Sequence, residues 1–149
     1  MDEYEKWEKD CKRIREQNAN LLDQFADALE QQGLKKKTID KHVNNIDFYI
    51  NHFLLYEDAI EPENGLHFVS MFLGYWFIKK AMWANPSAIK NNASSLKKFY
   101  AFMLESGKTD KDDYQELKDT IKQEMPEWVA TMQRYDDPDI EDMEDVWGI

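Results

Sequence analysis

The side chains that could serve as metal ligands or nucleophiles are few and widely spaced. The three histidines, His42, His52 and His67, form no His-x-x-x-His pair, and none follows a Glu-x-x pattern. A zinc site needs ligands that a helix or two close segments bring together, so this spacing predicts no metal site. Cys11 lies among charged residues with no histidine nearby, which does not favour a cysteine nucleophile.

Carboxylates gather in one run, the acidic tail, which we define as residues 136–149. Its alternating acids between Asp137 and Asp142 resemble a calcium-binding loop, but Asp142 stands where that loop needs a glycine. We interpret the tail as a solvated segment; the alternative is that it competes with phosphate groups for lysines. Since the sequence also has no glycine-rich phosphate loop, it predicts no cofactor and no enzyme activity.

The charge is unevenly distributed along the chain. The formal net charge is −11, which opposes binding to nucleic acid because such binding depends on cations that neutralise phosphates. Residues 33–108, however, carry ten bases and seven acids, whereas residues 109–149 carry four bases and fourteen acids. Any contact with DNA is therefore expected in the central block.

The composition favours a single all-α bundle of five to six helices. A chain of 149 residues with 42% hydrophobic residues can bury one core, and five glycines and four prolines are few for a sheet protein. The start of the sequence is highly charged, and no apolar stretch reaches the ~18 residues of a membrane span. We therefore expect a cytoplasmic protein with no membrane partner.

The first predicted helix, from Asp2 to Gln32, carries a heptad seam in which Asn18 is the one polar member. The seam consists of Tyr4, Trp7, Cys11, Ile14, Asn18, Leu21, Phe25 and Ala28. One interpretation is a weak parallel homodimer whose register is set by Asn18. We favour packing of Leu21 to Leu29 into the domain's own core, with residues 1–17 as a charged helical extension on its surface.

Two later helices combine an apolar stripe with a lysine-bearing face. The second is predicted to begin at a Thr38 cap and the fourth at a Ser87 cap. The polar positions are Lys36, Lys37, Lys41 and Asn44 in the second helix, and Lys90, Ser94, Lys97 and Lys98 in the fourth. Lysines at a helix start suit phosphate, although a solvated lysine run would look the same.

The predicted third helix, residues 64–82, is apolar on nearly all sides. Such a helix lies at the centre of a bundle, or one of its sides contacts a partner. Three tryptophans are candidates for a protein contact: Trp76 and Trp83 near its end, and Trp147 in the acidic tail. Near the end of the chain, Pro126 predicts a kink, so that residues 124–149 form a kinked helix followed by the tail.

A distinctive order of segments runs through residues 18–123. It comprises a helix ending in Gly33-Leu34, a Lys-Lys-Thr helix start, a long aromatic helix, and Leu96-Lys97-Lys98-Phe99-Tyr100 before Glu105-Ser106-Gly107. This order resembles the N-terminal core-binding, SAM-like domain of tyrosine recombinases and phage integrases. The resemblance implies the DNA-clamping half of such an enzyme, and nothing in the sequence matches the catalytic tyrosine or the arginine, lysine and histidine cluster of its other half.

Two functions are therefore expected. The first is a non-catalytic domain associated with duplex DNA through the lysine faces of the second and fourth helices. The alternative is a protein-interaction module that kept the fold but lost DNA binding, and whose partner docks on the aromatic third helix or the acidic tail. Convergence of the lysines on one surface would favour the first.

Overall fold

The computed structural model describes residues 2–136, and all regular elements in that range are helical, which confirms the all-α class. The α-helices are α1 Glu3–Gln31, α2 Lys36–Asp47, α3 Val69–Met71, α4 Phe77–Lys80, α5 Pro86–Glu105 and α6 Lys111–Tyr135. A π-helical turn, Phe48–Phe53, continues α2. A 3-10 helix, Pro62–Phe68, leads into α3, and a π-helical turn, Phe72–Trp76, joins α3 to α4; we call residues 62–80 the third helical segment. Within residues 2–136 no helix is both long and apolar enough to cross a membrane.

One hydrophobic core is shared by the long helices and the third helical segment. After Tyr49 and Tyr100, its largest wholly buried side chains are Phe25 of α1, Phe72 and Phe77 of the third helical segment, and Phe99 of α5. The rings of Phe25 and Phe99 meet edge to face at a centroid distance of 5.3 Å. The third helical segment thus contributes a buried side to the core, as its apolar sequence predicts.

Two buried tyrosines hold the 3-10 helix against the core. The hydroxyl of Tyr49 donates a hydrogen bond to the carbonyl oxygen of Gly65, and the hydroxyl of Tyr100 donates to the carbonyl oxygen of Pro62 at 2.9 Å. Burial raises the pKa of both hydroxyls well above 10, so they remain donors at neutral pH. A residue at position 65 must therefore leave room for both rings.

The heptad seam of α1 is covered by the chain itself. Leu21, Phe25 and Leu29 lie in the main core, as expected. Cys11 and Ile14 are also buried, in a smaller cluster with Leu55, so part of the expected surface extension is packed.

Asn18 is buried within the chain as well. Its side-chain amide donates to the side-chain oxygen of Asn51 at 2.8 Å. A homodimer through α1 would therefore have to use side chains outside this buried part of the seam, such as the exposed Tyr4.

Both expected helix caps are wrong. α2 begins before Thr38, after an N-cap residue, Lys35, that makes no side-chain cap bond. α5 begins at Pro86, and its cap is Asn85, whose side-chain oxygen accepts the N–H of Ala88 at 2.7 Å. Proline suits the first helical position because its missing N–H has no partner there in any case.

The boundary expected near residue 124 does not coincide with a break. α6 is a single α-helix from Lys111 to Tyr135 with Pro126 inside it. Beyond the proline, Trp128, Thr131 and Met132 are buried. The residues up to the end of α6 therefore belong to the bundle, whereas the acidic tail from residue 137 on lies outside the described residues.

Candidate nucleic-acid interface

A buried polar contact joins α2 to α5. Nδ1 of His42 lies 2.7 Å from the hydroxyl of Ser95, and the side-chain amide of Asn45 donates to the same hydroxyl at 3.0 Å. The hydroxyl of Ser95 also lies 3.1 Å from the carbonyl oxygen of Asn91. Ser95 therefore ties α2 to α5 at one buried polar point.

This packing brings lysines from two helices near one imidazole. The pKa of His42 is lowered from its ordinary value of 6.5, first by burial and then by the positive charges of Lys98 and Lys41. Lys98 belongs to α5 and Lys41 to α2. Both ammonium groups therefore lie close enough to His42 to act on its charge.

Lysines of α6 lie beside the lysines of α5. Ser94, Lys97 and Lys98 line a depression together with Tyr114 of α6. Lys97 also lines a neighbouring depression with Lys118 and Lys122. We call the set Lys41, Ser94, Lys97, Lys98, Lys118 and Lys122 the lysine surface.

The ammonium groups of the lysine surface are not neutralised by nearby acids. Among residues 2–136, no carboxylate lies within 4.0 Å of any of them, and the ion pairs that do form involve Arg13, His67 and Arg134. Lys118 instead has its ammonium 4.9 Å from the ring centroid of Tyr114. These lysines can thus receive an anion without breaking an ion pair to a described residue.

The structure brings together only part of the expected set. Lys36, Lys37, Asn44 and Lys90 are exposed on the same two helices but do not line either depression. Lys41 does not line a depression either, and it belongs to the lysine surface because its charge acts on His42. Lys118 and Lys122 were missed, although their spacing of four residues places both on one face of α6. The sequence signal was present but lay in a region dominated by acids.

The three tryptophans expected to form a protein contact also differ in where they lie. Trp83 is 56% exposed and the neighbouring Met82 is 98% exposed, so this end of the third helical segment presents an apolar surface. Trp76 is half-buried, with its ring 5.3 Å from that of Phe53 and 5.5 Å from that of Phe48. Trp147 lies outside the described residues.

Comparison with known proteins adds no relative. No protein-family model, curated protein or solved structure matches the chain. The resemblance to a recombinase core-binding domain therefore rests on the order of its helices and their residues, and it remains a hypothesis.

We expect the pKa of His42 to rise when either nearby lysine is replaced, in Lys41→Gln or Lys98→Gln, because less positive charge then opposes the imidazolium. NMR titration of the imidazole in the folded protein measures this, with Lys9→Gln on the exposed side of α1 as the control. If the pKa of His42 is unchanged in both variants, the placement of Lys41 and Lys98 near its imidazole is contradicted. Stability should also fall as the pH drops below 6.5, since the unfolded chain then binds a proton that the folded His42 resists.

Proposed function

We propose that this chain is a non-catalytic module that binds the phosphate backbone of duplex DNA through the lysine surface. The observation that supports it is that lysines of α5 and α6 line two depressions that share Lys97, and that Lys41 of α2 and Lys98 of α5 both lie near His42. Cations on one face release counterions from DNA and position a protein on the duplex without reading its sequence. The resemblance to the DNA-clamping half of recombinases points the same way.

The distribution of charge on α6 answers the objection of a net charge of −11. Three of its six acids, Asp113, Glu116 and Glu124, line a separate groove against the third helical segment. Its lysines Lys118 and Lys122 lie on the side that shares a depression with Lys97 of α5. Phosphates on the lysine surface would therefore meet cations first, although the whole chain repels them at long range.

The test is fluorescence anisotropy with a labelled duplex at two salt concentrations. We expect the pair Lys41→Glu with Lys97→Glu to weaken binding by about tenfold or more, and the slope of log K against log salt to become shallower by about 0.9 for each phosphate that is no longer neutralised. Lys9→Glu with Lys12→Glu, on exposed positions of α1, makes the same change in net charge and is the matched control. Equal weakening by both pairs would contradict a defined lysine surface.

A protein-interaction module is the second candidate. It is favoured by large apolar side chains that are exposed in the third helical segment and just after it. Tyr75, Met82 and Trp83 are large apolar residues that remain accessible. Surfaces of this kind mark contacts with other polypeptides. If the wild-type protein shows no DNA binding at low salt, this candidate replaces the first.

A further inference from the structure

An apolar groove of about 280 Å³ opens between the third helical segment and the chain that follows the π-helical turn of α2. The apolar and aromatic residues that line it include Phe68, Met71, Tyr75, Trp76, Tyr56 and Ile60. Met71 is 60% exposed, Tyr56 51% and Tyr75 44%. Large apolar side chains that are exposed together indicate a surface that another segment covers.

The end of α6 lies near the α4 end of the third helical segment, beyond this groove. The hydroxyl of Ser70 donates to a carboxylate oxygen of Glu124 at 3.1 Å, and four residues further along both helices Gly74 packs against the Trp128 ring. Because the contacts advance together, α6 and the third helical segment run side by side in the same direction. If the two elements stay in step, Tyr135 at the end of α6 comes level with the end of α4.

The acidic tail is long enough to reach the groove from there. Trp147 is eleven positions after Asp136, and an extended chain spans roughly 3.3 Å per residue, or about 36 Å. The groove at Met71 and Tyr75 lies about 10–15 Å back along the helix, at 1.5 Å per residue. Reach therefore does not limit the contact.

The order of chemical groups in the tail matches their order on the surface. At the α4 end of the groove, the ammonium of Lys79 lies 5.5 Å from the ring centroid of Tyr75, and that of Lys80 lies 5.4 Å from the ring centroid of Tyr56. The tail first supplies six carboxylates within residues 137–145 and only then an apolar group, residues 146–149. Carboxylates beside the lysines would leave the apolar group to enter the groove.

Acids on the groove wall favour the same arrangement. Glu57 and Asp58 also line the groove, so a carboxylate inside it would be repelled. Residues 146–149 carry no charged side chain. An indole ring can bury 150–250 Å², which makes Trp147 the group with the most to gain there.

We infer that residues 146–149 of the acidic tail dock in this groove, with Trp147 against Met71 and Tyr56 and the tail carboxylates beside Lys79 and Lys80. The contact is intramolecular and independent of DNA binding. It assigns Trp147 to the chain's own surface rather than to an external partner.

Disulfide trapping in the full-length chain tests the contact. Cysteines are introduced at an exposed groove position and beside the indole, as Met71→Cys with Gly148→Cys, while the native Cys11 is buried and stays in place. We expect a mild oxidant to join the pair within one chain at least tenfold faster than the matched pair Lys122→Cys with Gly148→Cys, as read by intact mass without reductant. Adding Trp147→Ala to the first pair should slow its reaction to the rate of the second.

Four other outcomes would each overturn the inference. Faster trapping at position 122 would place the tail on the lysine surface. A disulfide-linked dimer whose yield rises with protein concentration would make a second copy the occupant. Equal rates for the two pairs, or no effect of Trp147→Ala, would show that the groove does not select the tail.

Discussion

Replacing Gly65 by alanine is expected to lower the free energy of unfolding by about 3 kcal/mol, the upper part of the range for overpacking a core. A methyl group there would overlap the hydroxyl oxygen of Tyr100 and lie 2.8 Å from Cδ1 of Leu54. Neither can withdraw easily, because Tyr100 is fully buried and hydrogen-bonded to Pro62 and Leu54 is fully buried. The decrease should appear as a lower urea midpoint with an unchanged slope.

A double-mutant cycle separates steric overlap from other effects of the substitution. Tyr100→Phe alone should cost about 1–2 kcal/mol, since it leaves the Pro62 carbonyl without its donor. In that background Gly65→Ala should cost clearly less, because one of the two obstructing atoms is gone. Gly33→Ala is the control: it has open space around it and a φ of +86°, so only about 1 kcal/mol of backbone strain is expected. If the double variant loses as much stability as the two single variants added together, the predicted overlap between a methyl group at position 65 and the Tyr100 hydroxyl is contradicted.

Removing residues 137–149 is expected to tighten binding to duplex DNA by about tenfold at low salt, because long-range repulsion is reduced. The deleted segment contains six carboxylates and no base, so the formal net charge changes from −11 to −5. The gain should shrink as salt rises, since exposed charges are screened within about 10 Å at 0.1 M. Anisotropy titrations of both proteins at two salt concentrations measure it.

A full-length variant with all six carboxylates changed to amides distinguishes charge from the removal of the apolar end of the tail. It should bind DNA as tightly as the truncated protein. Lys41→Glu with Lys97→Glu should abolish the gain in either background, because the lysine surface then no longer attracts the phosphates. If truncation leaves DNA binding undetectable, the protein-interaction module becomes the better account.

Much of the secondary structure followed from local patterns. Apolar spacings of three and four residues predicted the long helices, and Gly33 and Gly107, which adopt positive φ values, lie just beyond the ends of α1 and α5. The caps were less predictable, because Ser87 competes with Asn85, which caps α5 equally well, and α2 begins before Thr38 without any side-chain cap. Candidate N-cap residues differ by only about 1 kcal/mol in helix stability. Which of them begins the helix therefore depends on how the helix packs.

The heptad seam of α1 is another feature whose packing partner could not be predicted from the local sequence. Its heptad spacing was compatible with a dimer or with burial in one chain, since both cover the same stripe. Only the tertiary structure shows that Cys11 and Ile14 meet Leu55 and that Asn18 meets Asn51. These contacts join residues more than 30 positions apart, which no local pattern records.

The sequence by itself determined the all-α class, the lysine-bearing faces of two helices and the separation of a basic central block from an acidic tail. These properties follow from residue type and helical period alone. The tertiary structure decided which lysines share a surface, because the packing of α2 against α5 brings Lys41 and Lys98 near the same imidazole. It also added Lys118 and Lys122, which meet Lys97 only because α6 packs beside α5.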